Sequence, residues 1–242
     1  MRSPFPLAAA LAAALSTPAG SLTYDDCVVM VATDPAKAEV EADRWSRADG
    51  GAPARHCQAL ALLAQGADAQ AADLMIEIAA TERTLPDEVR GTILVEAGDI
   101  LLGLGALDAA DRAASRALSL VQNPRGPLTL SARVKAERSD WRGAIDDLDR
   151  ALAAGNPDPE ILVLRASAQR QMGAQVAARS DLTWATELDP ASPTLWLERG
   201  ALAEDTGAKD EARAAYLKAI DLDRDGAVGA AAQLRLQRMD AK

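Results

Sequence analysis

Few residues in this 242-residue chain have both the type and the spacing to do chemistry. The only histidine, His56, stands beside Cys57, and Cys27 is the one other thiol. A structural zinc site takes four such ligands, so these three cannot close one without carboxylates, and His56 is expected to be a partly exposed helix residue. A second candidate is DLDRDG, Asp221 to Gly226, where Asp221, Asp223 and Asp225 alternate ahead of a glycine as at the start of a calcium loop, and Val228 also fits. The bidentate acid of such a loop is missing, because its twelfth position is Ala232. Neither metal nor cofactor is therefore expected. There is no glycine-rich phosphate loop and no GxSxG, and a single histidine restricts triad or acid–base chemistry. Paired carboxylates such as Asp146 and Asp147 fall on outer faces of amphipathic patterns, where solvation is their expected role.

The elements that carry these residues repeat. From Ile161 to Pro190 the sequence reads as two short helices joined at Gly173 and closed at Pro190. Gly105, Ser139, Gly173 and Gly207 mark the same turn at intervals of 34 residues. Five residues after each turn stands an alanine (Ala110, Ala144, Ala178, Ala212), and twelve after it another (Ala117, Ala151, Ala185, Ala219). Seven before it stand Gly98, Ala132, Ala166 and Gly200. A fixed period with small residues at fixed offsets predicts an array of helix pairs in close contact. Gly66 and Ala71 begin the same pattern earlier, but Gly105 follows Gly66 by 39 residues, and the surplus is expected as a longer connection in TERTLPDE around Pro86.

At these residues the chain resembles the tetratricopeptide repeat family. The last unit, LWLERGALAEDTGAKDEARAAYLKAIDLD, carries most of the family pattern in Trp196, Gly200, Gly207, Ala212, Tyr216 and Ala219. It departs from that pattern at Arg165 and Arg199, in a column usually apolar, and at Ala114, where Leu148, Leu182 and Tyr216 supply bulk. Only the unit ending at Pro190 has its proline in the usual place. The resemblance implies an all-α solenoid of stacked antiparallel helix–turn–helix repeats in a right-handed superhelix. Its units are expected over residues 22–51, 52–90, 91–124, 125–158, 159–192 and 193–226, with a capping helix over 227–240. In the first unit Trp45 ends a helix and ADGGAPA is a strong turn signal, as in a degenerate end repeat. In the cap, Val228, Ala231, Leu234 and Met239 are expected to cover the preceding pair while Arg235, Arg238 and Lys242 face water.

Composition agrees. Aromatic residues make up only 3% and hydrophobic residues 49%, which suits closely stacked helices rather than sheets or disorder. The net charge of −10 gives no basic footprint for nucleic acid. Residues 1–21 read as a signal peptide, with Arg2, an apolar run from Leu7 to Leu15 and cleavage expected after Ala19 or Ser21. The apolar run is shorter than the ~20 residues a membrane span needs, and no later stretch qualifies. A periplasmic chain with two cysteines is expected to pair them, Cys27 with Cys57, across the first helices of adjacent units.

What remains is the face of the first helices, which lines the inner groove in the family that this chain resembles. The register puts Asp99, Arg133, Glu137, Ser167, Arg170, Gln171, Glu204 and Asp205 on or near it. Arginine is a strong donor to carboxylates and carbonyls, so a protein or peptide partner is expected there, centred on Arg133 and Arg170. The alternative for Arg133 is an intrahelical pair with Glu137. The expected function is a non-enzymatic periplasmic scaffold. The alternative is an assembly factor of an envelope complex acting through its ends or convex face, and an exported enzyme comes third.

Overall fold

To end one helix and reverse into the next, a chain must leave right-handed helical space for a residue. In the computed structural model, which describes residues 22–241, the repeat turns do so at Gly66, Gly105, Ser139, Gly173 and Gly207, with φ between 60° and 78°, and the link over residues 46–50 does so at Asp49, with φ 74°. At each turn the next N–H donates back to a carbonyl five residues earlier: Ala67 to Leu62, Ala106 to Leu101, Asp140 to Lys135, Ala174 to Gln169 and Ala208 to Ala203, all at 2.8–2.9 Å. The 34-residue column of the sequence is thus the left-handed position of a helix C-cap. The expected signal segment and Lys242 lie outside the described residues.

The helices are α1 (Tyr24–Thr33), α2 (Pro35–Trp45), α3 (Gly51–Ala64), α4 (Asp68–Thr81), α5 (Asp87–Gly103), α6 (Leu107–Leu118) and α7 (Arg125–Glu137). There follow α8 (Trp141–Ala153), α9 (Pro159–Gln171), α10 (Gln175–Leu188), α11 (Pro193–Asp205), α12 (Lys209–Leu222) and α13 (Ala227–Asp240). A kinked link, Ser46–Gly50, in which Ala48 and Asp49 leave helical space, joins α2 to α3. No described residue is in a strand, and no described helix is long and apolar enough to cross a membrane. Helix starts follow local chemistry: Asp158 caps α9 and Ser192 caps α11, each with proline as the first helical residue.

The chain divides into two compact units, the first ending at Val134 and the second beginning at Lys135. In each, consecutive helices pack as antiparallel pairs that stack on one another. The alanine columns are where they touch: Ala110, Ala117, Ala144, Ala151, Ala178, Ala185, Ala212 and Ala219 are all buried. Gly200 lies so close to the Tyr216 ring that a Cβ there would collide with it, which is why the small residue and the aromatic one occur together. Ala114, the small member of the bulky column, is also fully buried.

Four expectations change. Asp147, expected on a solvated outer face, is buried, and Lys135 Nζ and Arg150 Nη1 donate to its carboxylate at 2.5 and 3.2 Å. The surplus between Gly66 and Gly105 is not in the connection: residues 82–86 form an ordinary link, and α5 is instead 17 residues long where α7 is 13, a further turn of helix. In the cap, Leu234 is exposed, and Leu236 packs in with Met239 beside the buried Ala232, so the apolar seam of α13 is rotated from the expected one. His56, expected at the surface, is completely buried.

His56 belongs to a chain of polar contacts in the first unit. The Tyr24 hydroxyl donates to His56 Nδ1 at 2.8 Å, and His56 Nε2 donates to Glu96 Oε2 at 3.0 Å. Burial, with the nearby Glu96 and Asp25 charges, holds the Tyr24 phenol above its ordinary value, so it keeps its proton, and because the Glu96 carboxylate can only accept, Nε2 is the donor of that contact. Next to it Cys27 and Cys57 form a disulfide between α1 and α3, the first helices of adjacent pairs, as expected. Closing this loop is worth about 3–4 kcal/mol in the chain-entropy account.

Two stability outcomes follow from these geometries. Ser139→Gly relieves the one non-glycine residue in the left-handed column and should raise stability by up to about 1 kcal/mol. Tyr24→Phe leaves His56 Nδ1 buried without its donor and should cost about 1–3 kcal/mol. Urea unfolding of the two variants beside wild type measures both.

Candidate partner-binding faces

In the first unit the relevant face is built by α5 and the N-terminal part of α7. Asp99 and Arg133 occupy the same register position in successive repeats, and stacking brings them together: Arg133 Nη1 donates to Asp99 Oδ1 at 2.5 Å. Both side chains stay substantially exposed, 44% for Asp99 and 38% for Arg133. Arg133 therefore pairs with Asp99 on α5, the first helix of the preceding pair, and not with Glu137, which is exposed near the end of α7.

In the second unit the charges are more deeply set. The Arg170 side chain on α9 is only 11% exposed, and its Nε and Nη1 donate to Glu198 at 3.2 Å and to Asp205 at 3.0 Å, both on α11. Burial opposes its charge, but the two carboxylates outweigh that and hold its guanidinium above its ordinary value. Glu204 accepts from the Tyr216 hydroxyl at 2.9 Å and lies 3.6 Å from Arg235 on α13. Burial first, then that hydrogen bond, raise the Tyr216 phenol. Ser167 is half-buried and Gln171 exposed on α9.

The structure thus brings the expected residues into two groups. One is the Asp99–Arg133 pair in the first unit. The other joins Arg170 to Asp205 and sets Glu204 beside Arg235 in the second, with Glu198 and Arg235 as members that the register count missed. Their signal was available: Glu198 lies 28 residues after Arg170, within one repeat, and a long side chain reaches such a neighbour on the next helix.

The calcium candidate has a structural role. Asp223 Oδ2 accepts from the N–H groups of Val228 and Gly229 at 3.0 and 3.2 Å, capping the start of α13, while Asp221 faces Arg224 at 3.6 Å. No group of three or more metal-ligand side chains converges among the described residues.

Residues 193–225 match the model of the tetratricopeptide repeat family. No curated protein matches the chain in sequence. Among solved structures, a chain of the APC/C hetero-tetramer Cut9-Hcn1 aligns at a TM-score of 0.68 and 16% identity over 88% of this chain, which spans only 41% of that one. Pseudomonas aeruginosa PilF aligns at 0.66 and 14% identity, over 88% of this chain and 95% of its own. A tetratricopeptide repeat protein from Parabacteroides merdae aligns at 0.67 and 14% identity, over 89% and 84%. Such identities speak for fold. With a matching repeat in α11 and α12 and the same left-handed turn closing five successive helix pairs, the described chain has the fold of tetratricopeptide repeat proteins, and residues 193–225 match that family's repeat.

Proposed function

We propose that this chain is an exported, non-enzymatic scaffold that holds a polypeptide partner against the polar faces of its first helices. The observation that carries the reading is the Asp99–Arg133 pair: an oriented guanidinium, more than a third exposed, on a face made of successive first helices. Asp99 occupies one edge of the Arg133 fork and orients the remaining N–H groups, which a carboxylate or a backbone carbonyl of the partner can accept from. Arg170 has a different part. Held at 11% exposure between two acids, it fixes α9 against α11 and keeps Asp205 in place, so it shapes the second unit's face more than it meets the partner.

Export rests on the sequence of residues 1–21 and is supported by the Cys27–Cys57 pairing, a bond that persists in oxidising compartments. A second reading, assembly through the outer faces of the second helices, is favoured by one observation: Val176, Trp184 and Leu188 on α10 and Leu217 on α12 are exposed apolar side chains.

Partner retention after cross-linking in the native cell envelope tests the first reading. Arg133→Ala should cost on the order of 1.5–3 kcal/mol of binding with an acidic partner, Arg133→Lys less, and raising salt should weaken wild type most. Equal retention by wild type and both variants, with loss in Trp184→Ala, would move the partner to the second helices. For export, alkylation of denatured, unreduced protein from the periplasmic fraction should label neither cysteine. Two labelled thiols, or no protein in that fraction, would end the export proposal.

A further inference from the structure

Comparing side chains 34 residues apart exposes a column that changes its chemistry within the second unit. Arg165 on α9 is gripped by two carboxylates: Nε and Nη2 donate to Asp181 at 2.8 and 2.7 Å, a bidentate pair, and Nη1 donates to Asp149 at 2.6 Å. Asp181 foremost, with Asp149, holds this guanidinium above its ordinary value against the effect of burial. The counterpart of Arg165 one repeat later is Arg199 on α11, but the counterparts of Asp181 and Asp149 are Ala215 and Thr183. Arg199 keeps the fork and has lost both acids. Its Nη1 donates to Thr186 Oγ1 at 3.1 Å and its guanidinium lies 4.9 Å from the centre of the Trp196 ring, and among the described residues no carboxylate pairs with it.

A pocket of about 100 Å³ with Arg199 in its wall opens between α10, α11 and α12. That is well above the ~10–15 Å³ a single water requires. Leu182 and Leu202, both buried, give it apolar walls, and Thr183, standing where the earlier repeat has Asp149, gives it a hydroxyl oxygen. At its edge Arg179 and Glu211 form an exposed ion pair at 3.3 Å, which neutralises the one acid of the lining and leaves Arg199 as the unbalanced charge. A half-buried fork of this kind takes a planar, two-oxygen acceptor best.

We propose that this pocket binds a carboxylate on a short aliphatic stem, received by Arg199 on the side of Thr183, which stands where Asp149 meets Arg165 in the preceding repeat. The leucine walls accommodate the stem, and the Trp196 face holds the guanidinium plane while the carboxylate is bound. This site is separate from the Asp99–Arg133 face and does not depend on what binds there. Its ligand comes either from a free small acid or from an aspartate or glutamate side chain of a polypeptide.

The test is an NMR titration of the ¹⁵N-labelled chain, following the Arg199 Nε–H and the Trp196 indole N–H, which donates to the Pro190 carbonyl at 2.8 Å. The probes are sodium propionate and N-acetyl-glutamate N-methylamide, with sodium chloride at equal ionic strength as control. At least one carboxylate should give saturable shifts and chloride none. Tighter binding of the capped glutamate assigns a polypeptide side chain and binding of propionate alone assigns a free acid, each supporting the site. Arg199→Leu and Ala215→Asp, which restores the internal acid of the preceding repeat, should each weaken binding by about tenfold or more, and Arg199→Lys by less. Since Ala215 is buried, the two Arg199 variants carry the test if Ala215→Asp does not fold. Shifts that chloride reproduces, no saturation with either carboxylate, or undiminished binding in Arg199→Leu would overturn the proposal.

Discussion

One backbone constraint underlies the architecture: a single left-handed residue followed by a hydrogen bond that reaches back over it to the end of the preceding helix. Once Gly66, Gly105, Ser139, Gly173 and Gly207 take that conformation, the second helix must run back along the first at a fixed phase. The phase decides which side chains meet. Positions five and twelve residues on then face the partner helix and admit only small groups, and the aromatic ring of Tyr216 finds the glycine that leaves room for it. Ser139 keeps the turn without glycine's freedom, so the geometry is imposed there by the helices on either side and not by the residue.

The same phase governs electrostatics. In a stack with a fixed repeat, charges at one register position in successive helices become neighbours, and Arg133 reaches Asp99 for that reason. Arg165 and Arg170 are held by acids of adjoining helices in the same way. A chain with a net charge of −10 thereby places its arginines where they neutralise the excess acid locally. An exposed pair such as Asp99–Arg133 contributes little stability, and its larger effect is to hold a side chain in a set direction.

Much of this was legible in the residues. The period, the turn column, the alanine contacts and the cysteine pair could all be read because each depends on spacing along one chain. The burial of His56 could not: it depends on Tyr24 and Glu96 coming from two other helices, and a lone histidine beside a cysteine carries no mark of either. The extra turn of α5 escaped because Pro86 is a connection signal whether the surplus lies before or after it. On the candidate faces Asp99, Arg133 and Arg170 stand on α5, α7 and α9, but how exposed each is depends on neighbouring side chains from other helices, which for Arg170 are Glu198 and Asp205.

At the end of a stacked array the outermost helix has a neighbour on one side only, and it is usually the cheapest segment to open. Here α1 is bonded covalently to α3 through Cys27–Cys57, and Tyr24 leads through His56 to Glu96 on α5. Fraying of α1 alone therefore gives up the Tyr24 bond while the disulfide still tethers the helix beside its site. It recloses far faster than it could if free. This first described helix is in that way coupled to the helices behind it, and its amide protons are expected to exchange more slowly than those of an untethered edge helix.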